Sequence, residues 1–153
     1  MKNIVELQGV TVNYKGTELL KELNLKIAAR QIVGIIGGPG SGKTTLLRLL
    51  SGLIKPTAGK VTISDRDIYG ISTDEPIRVG YVPSSLGIDE ELTVAETMLI
   101  FPFLYQERKQ PQERPLNMLE LIGLEFHADI AVGQLTKSQQ LFLATGISLL
   151  HNP

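Results

Sequence analysis

Residues 37–44 have the sequence Gly-Gly-Pro-Gly-Ser-Gly-Lys-Thr, which fits the pattern Gly-x-x-x-x-Gly-Lys-[Ser/Thr] of loops that bind nucleotide phosphates. Gly40 and Gly42 allow backbone conformations that a Cβ disfavours, so the chain can approach an anion closely. The backbone N–H groups that follow would point inward, at the start of a helix whose dipole favours negative charge. The loop therefore predicts a phosphate site made of Gly37, Gly38, Pro39, Gly40, Ser41, Gly42, Lys43, Thr44 and Thr45.

Two side chains of this loop have their own predicted tasks. Lys43 supplies a full positive charge between the β- and γ-phosphates, and the Thr44 hydroxyl is a hard oxygen ligand for Mg²⁺. The alternative is a glycine-rich turn that binds nothing, but it leaves the lysine and the hydroxyl in register unexplained. The loop alone does not choose between nucleotide kinases, GTPases and ATPases. A guanine-specific Asn-Lys-x-Asp run is absent from the sequence, which counts against a GTPase.

Strands are predicted around the loop. Residues 4–14 predict one or two strands, and the alternating apolar residues of 23–27 continue this pattern after a polar turn around 15–17. The run 32–36 is apolar at nearly every position, which is typical of a strand buried on both faces of a parallel sheet. Residues 59–63 predict another strand, and 78–82 predict a second buried one.

Helices are predicted for most of the remaining chain. Residues 44–50 predict a helix directly after the phosphate loop, and Thr93 and Glu96 have the spacing of a capping box at the start of another. An apolar stripe over 118–122 and the segment 138–150 predict two more helices.

This order of elements predicts the fold class and the domain organisation. Strands first and helices afterwards indicate an α/β core with a helical insertion. A chain of 153 residues suffices for one domain with a core but not comfortably for two. We expect one domain over 1–153, with a β subdomain and phosphate-loop core over 1–90 and a helical subdomain over 91–150. A polar stretch with two prolines, 106–115, predicts a loop between helices.

Composition limits the classes of partner. The net charge is −1, so no global basic field points to nucleic acid or to an anionic membrane. The chain has no cysteine, which removes disulfides and thiolate metal sites and is compatible with a reducing cytosol. Its apolar stretches are shorter than the roughly 20 residues that cross a bilayer. A link to a membrane would therefore come through a partner.

Four further segments resemble the nucleotide-binding subunit of ABC transporters. Tyr14 stands where that family has an aromatic residue that stacks on adenine; the alternative is an aromatic that only helps the core. Residues 46–59 are similar to the family's helix and turn after the phosphate loop, and 79–83 with 86–97 to its glutamine-loop region. The sequence VGQLTKSQQ at 132–140 stands in place of the signature Val-Gly-x-Leu-Ser-Gly-Gly-Gln.

The resemblance implies ATP and Mg²⁺ as ligands. It also implies an incomplete ABC ATPase fold: a P-loop NTPase core with an N-terminal antiparallel β subdomain and a helical insertion.

The chain departs from the family at two functional segments. The family's glutamine that helps to hold Mg²⁺ is Ser84 here, and serine would reach the metal only through water. In the signature, Thr136 keeps a hydroxyl while Lys137 and Ser138 replace glycines. The resemblance implies that these residues and Gln139 face the γ-phosphate held by the opposite subunit. Lys137 would either be a solvated surface lysine or offer charge to that phosphate.

The family continues past the position of Pro153 into the Walker B segment, whose aspartate orders Mg²⁺ and whose glutamate is the general base. Both are absent here, so no catalytic residue is assigned in this chain, and residues 89–91 are interpreted as a solvated acidic turn. Without two strands of that later segment, 32–36 and 78–82 would pair directly or leave open sheet edges. We expect a fragment, a truncated gene product, or a chain completed by another. Alone it should bind ATP and hydrolyse it poorly.

The resemblance implies an ATP-binding subunit, or a fragment of one, of an ABC transport system at the cytosolic face of a membrane. The parent protein would couple Mg-ATP binding and hydrolysis to transport. Its expected partners are a transmembrane transporter subunit and a second nucleotide-binding subunit, in a homo- or heterodimer, with no nucleic acid.

Three alternatives stay open. One is a non-catalytic ATP-binding partner of a heterodimer, and another is a soluble ABC-type ATPase that serves DNA repair or translation. The third, a small P-loop kinase, is weakened because Arg108 and Arg114 are isolated and do not form an arginine-rich lid.

Overall fold

The computed structural model describes residues 2–70, 77–104 and 113–153, without the side chains of 102–104, 113 and 114. The chain divides into two compact units, Met1–Ile77 and Arg78–Pro153. Each unit has its own apolar core. The described residues include no helix with the length and apolar character needed to cross a membrane.

The first unit contains an antiparallel sheet. Its strands are β1 (Asn3–Tyr14), β2 (Thr17–Ala28), β3 (Ala58–Ile63) and β4 (Arg66–Asp67), in the order β2-β1-β3-β4. Strands β1 and β2 form a hairpin whose two turn residues, Lys15 and Gly16, both have positive φ (49° and 81°). Such turns match the right-handed twist of the strands that they join. The predicted antiparallel β subdomain is therefore confirmed.

A short helix covers the sheet of this unit. Helix α1 (Lys43–Leu50) begins one residue before the predicted start at Thr44 and turns Leu46 and Leu49 into the core. Burial of an aliphatic side chain stabilises a fold by about 1.5–3 kcal/mol, so this packing anchors the helix that carries the loop. The other buried apolar residues of the cluster come from the strands: Leu7, Val10, Val12 and Val61.

The prediction of two buried strands is wrong. Residues 32–36 and 78–82 form no strand among the described residues, and Ile32 and Ile36 are fully exposed (104% and 99%). A buried strand needs a hydrogen-bonded neighbour and cover on its faces. The described strands pair only with one another, within the sheet of β1 to β4. Because neither segment is a strand, the alternative in which two such strands pair directly does not arise.

The second unit is helical. It contains α2 (Val94–Leu104), α3 (Glu113–Leu121) and α4 (Lys137–Leu149), with two short 3₁₀ helices at Glu125–His127 and Val132–Gln134. The helices predicted after residue 91 are therefore confirmed. Their core consists of nine buried residues: Val94, Met98, Leu119, Leu124, Val132, Leu135, Leu143, Ile147 and Leu150.

The start of α2 is fixed by the predicted capping box. The Thr93 backbone N–H donates to Glu96 Oε2 at 2.8 Å, and the Glu96 N–H donates to the Thr93 hydroxyl at 3.2 Å. The pKa of the Glu96 carboxyl is lowered mainly by the Thr93 backbone N–H and also by the Thr93 hydroxyl, which donates to Glu96 Oε2 at 3.0 Å. The loop predicted over 106–115 lies mostly outside the described residues. Its end is corrected, because α3 begins at Glu113 and contains Pro115 in its first turn, where no helical N–H bond is lost.

Candidate nucleotide-phosphate site

The backbone of the phosphate loop has the conformation that its glycines predicted. Gly40 and Gly42 have φ of 77° and 85°, in the left-handed region that residues with a Cβ avoid. A Cβ on Gly42 would lie 2.8 Å from Leu20 Cδ2 and 3.0 Å from the carbonyl oxygen of Leu19. Glycine at 42 is therefore required both by its backbone angle and by the close approach of β2.

Lys43 folds back over this loop. Its ammonium donates to the carbonyl oxygens of Gly37 and Gly38, each at 2.7 Å, and to the Ser41 hydroxyl at 3.3 Å. These contacts hold a positive charge directly over the backbone that the sequence assigned to phosphate binding. The side chain is only partly exposed, so its charge is less screened than that of a fully solvated lysine.

Helix α1 begins at Lys43, the residue that carries this charge. Gly42 is its N-cap, without a side-chain cap, and the Leu46 N–H donates to the Gly42 carbonyl at 2.8 Å. The first N–H groups of a helix have no partner within it and carry the positive end of its dipole. They and the loop surround a cavity of about 200 Å³ lined by Leu19, Gly40, Ser41, Gly42, Lys43, Thr44 and Thr45. Backbone donors, a dipole and a cation thus converge on one small cavity, which is the chemistry that a phosphate needs.

Thr44 fits the predicted metal role. Its side chain is exposed in the first turn of α1, lines the same cavity, and makes no hydrogen bond within the described part of the chain. A free hydroxyl beside a phosphate site is a suitable oxygen ligand for Mg²⁺, which also takes phosphate oxygens and waters.

Tyr14 lies at the end of β1 with 61% of its surface exposed. It is paired with Thr17 across the hairpin, and the Lys15 ammonium lies 5.5 Å from the centre of its ring. The ring is therefore not a core residue. Its predicted role at adenine stays a prediction, for which the exposed ring supplies the needed surface.

The signature segment forms the start of α4. Thr136 is the N-cap: its N–H donates to Gln139 Oε1 at 2.9 Å, and the Gln139 N–H donates back to the Thr136 hydroxyl at 3.3 Å. Lys137 and Ser138 follow with exposed side chains. The residues that replace the family's glycines thus stand at the tip of a well-capped helix.

Ser84 and Lys137 lie on one cavity of the second unit. This cavity has a volume of about 540 Å³ and is lined by Pro83, Ser84, Ser85, Leu86, Gly87, Ile88, Glu90, Val132, Lys137, Gln140 and Leu141. The structure thus brings together two departures from the family that lie far apart in the sequence.

Sequence reasoning also missed two residues that hold the site elements. The Tyr69 phenol lies against the carbonyl oxygens of Leu49 and Ile54 and so joins the turn after β4 to the end of α1 and the following loop. His127 lies beside Gln139, with their Nε2 atoms 2.8 Å apart. No short motif marks either residue, because both contacts depend on tertiary structure.

A family model described as ABC transporter matches residues 20–153. The chain belongs to this family. Among solved structures, the ABC cassette MJ0796, in a dimeric post-hydrolysis state bound to ADP and Pi, is 30% identical with a TM-score of 0.82. The match covers 97% of this chain and 70% of that one. A second cassette, MJ1267 in its ADP conformation, has a TM-score of 0.76 at 22% identity and supports the fold alone. These matches confirm the predicted α/β P-loop NTPase fold.

Curated relatives of the ABC chain belong to both export and import systems. This chain is 29% identical over 150 residues to the Nod factor export ATP-binding protein I of Bradyrhizobium diazoefficiens. The match covers 97% of this chain and 49% of that protein. The chain is 32% identical over 155 residues to the spermidine/putrescine import ATP-binding protein PotA of Nitratidesulfovibrio vulgaris, covering 99% and 41%. The chain thus spans about half the length of the curated relatives that it matches.

Proposed function

We propose that this chain is the ATP-binding part of an ABC transport system and that the phosphates of Mg-ATP bind to residues 37–45. One observation carries the proposal: the Lys43 ammonium, the left-handed glycines and the start of α1 converge on one cavity. In the whole protein, ATP binding and hydrolysis would drive transport by a membrane partner.

The other site residues have specific roles in this proposal. Tyr14 stacks on adenine, a contact worth about 1–3 kcal/mol in base-stacking systems. Thr44 ligates Mg²⁺, and Ser84 contributes to the metal only through water. Thr136, Lys137, Ser138 and Gln139 meet the nucleotide held by a second subunit.

The relatives support the proposed partners. Those reported above are ATP-binding proteins of export and import systems, and the MJ0796 cassette is dimeric. We therefore propose a transmembrane transport subunit and a second nucleotide-binding subunit as partners, with this chain held at the cytosolic face of a membrane. The transported substrate and the direction of transport depend on the membrane subunit.

A second candidate function is the non-catalytic half of a heterodimer. It is favoured by the exposed Lys137 and Ser138, whose side chains occupy the helix tip where the family has glycines. They would crowd a phosphate bound by the opposite subunit. Sedimentation of the chain with Mg-ATP tests the second candidate, because one half of a heterodimer should stay monomeric and a nucleotide-dependent homodimer would contradict it.

Calorimetric titration with Mg-ATP, ADP and AMP tests the proposed binding. Because the predicted contacts are made to the β- and γ-phosphates, Mg-ATP should bind at least about a hundredfold more tightly than AMP, the equivalent of about 2.7 kcal/mol. Equal affinity for ATP and AMP would show that the loop does not hold those phosphates and would refute the proposal.

A further inference from the structure

His127 and Gln139 connect two elements of the second unit. His127 ends the 3₁₀ helix Glu125–His127, and Gln139 lies in the first turn of α4. Their Nε2 atoms are 2.8 Å apart, a hydrogen-bond distance. Both atoms are nitrogens, so this contact requires that one donates and the other accepts.

The capping box at Thr136 decides which nitrogen donates. The Thr136 backbone N–H can only donate, and it lies 2.9 Å from Gln139 Oε1. The amide oxygen of Gln139 must therefore face Thr136, which leaves its amino group facing His127. An amide NH₂ group is a donor without an acceptor lone pair.

The tautomer of His127 follows from this orientation. Its Nε2 accepts from Gln139 and carries no proton, so the proton of the neutral imidazole is on Nδ1. Nδ1 is buried and makes no hydrogen bond to the residues that the structure describes. A proton on Nε2 would place two donors face to face. Rotation of the Gln139 amide would relieve that contact only by turning its amino group toward the Thr136 N–H, which opens the capping box.

We propose that His127 is a positioning residue for the signature segment: its Nδ1–H tautomer holds the Gln139 amide in the orientation that closes the capping box at Thr136. The inference rests on the proposed function in one respect, namely that the start of α4 meets nucleotide held by a second subunit. His127 would then set the geometry of that helix tip without contacting the nucleotide.

Nitrogen NMR of the ¹⁵N-labelled chain at mildly alkaline pH tests the tautomer directly. Protonated and unprotonated ring nitrogens give well-separated shifts, and we expect a protonated Nδ1 and an unprotonated Nε2 for His127. Assignment of its proton to Nε2 would overturn the proposal. This readout requires no nucleotide, so it remains valid even if the proposed ATP binding fails.

A matched pair of variants tests the positioning role. His127→Gln places an amide oxygen near the position of Nε2, whereas His127→Asn places it near that of Nδ1. The readout is hydrogen exchange at the backbone N–H of Gln139, which donates to the Thr136 hydroxyl at 3.3 Å. We expect His127→Asn to speed this exchange by about two- to tenfold, the loss of one hydrogen bond, and His127→Gln to stay close to the unsubstituted chain. Equal exchange in both variants would mean that His127 acts only through packing, and would overturn the proposal.

Discussion

The Lys43 ammonium lies 2.7 Å from the carbonyl oxygen of Gly37, at the other end of the phosphate loop. This bond closes the loop around its own cation, so the shape of the backbone and the position of the charge depend on each other. The side chain of Lys43 therefore has two effects that a substitution would remove together: it neutralises phosphate, and it ties the loop to α1.

We predict that Lys43→Ala weakens Mg-ATP binding by about ten- to a hundredfold, because a charge-assisted hydrogen bond is worth about 1.5–3 kcal/mol. Titration with a fluorescent ATP analogue measures the change. Lys60→Ala is the matched control, since Lys60 is an exposed lysine on β3 of the same unit and does not line the loop cavity. The phosphate-loop assignment is refuted if both variants bind as the unsubstituted chain does.

Substitution of Tyr14 separates ring stacking from other contributions. Tyr14→Ala should lower ATP affinity about tenfold, whereas Tyr14→Phe should change it little, because stacking needs the aromatic face and not the hydroxyl. Because the ring is exposed, we expect neither variant to lose much stability. Melting temperatures of the two variants serve as the control. Equal ATP affinity of the alanine variant and the unsubstituted chain would remove Tyr14 from the site.

The phosphate loop and the capping box at Thr93 were predictable because each is determined by residues close together in sequence. Gly40 and Gly42 set the backbone of the loop, and Glu96 lies three residues after its partner. Local chemistry of this kind does not depend on the remainder of the fold.

The segment 32–36 and the contact of His127 with Gln139 were not predictable in this way. An apolar run indicates a buried strand only where other strands pair with it, and Ile32 and Ile36 are exposed here. His127 and Gln139 are twelve residues apart in different helices, so only the packing of the second unit brings them together. Pairing and packing are tertiary properties, and the hydrophobic pattern of the sequence does not determine them directly.

Two glycines with similar backbone angles should differ in their tolerance of a side chain. Gly59 and Gly52 have φ of 84° and 78°, but only at Gly59 would a Cβ meet the neighbouring strand, 2.6 Å from the Gln8 carbonyl oxygen and in contact with Gly9. We predict that Gly52→Ala costs about 1 kcal/mol of unfolding free energy through its backbone angle. Gly59→Ala should cost about 1–3 kcal/mol more, because β1 and β3 must separate. Urea unfolding monitored by circular dichroism compares the variants, and equal midpoints would contradict the packing described for β3.

The Tyr69 phenol should make the first unit sensitive to alkaline pH. Burial, aided by the charge of Asp67, raises the pKa of Tyr69 from 10.0 to about 12. Between these values the unfolded chain loses the phenolic proton while the folded chain keeps it, so the unfolded state binds fewer protons and stability falls as pH rises. The stabilisation is complete below pH 10.0 and is lost by about pH 12.

Tyr69→Phe lacks this proton and also the donor that faces the Leu49 and Ile54 carbonyl oxygens. The variant should therefore be less stable at neutral pH by about 0.5–1.5 kcal/mol, and its stability should fall less steeply across the alkaline window. Urea unfolding at several pH values tests both statements, with tyrosinate absorbance to follow the titration. Parallel pH profiles for the two proteins would mean that the Tyr69 hydroxyl titrates as it does in the unfolded chain and does not hold the end of α1.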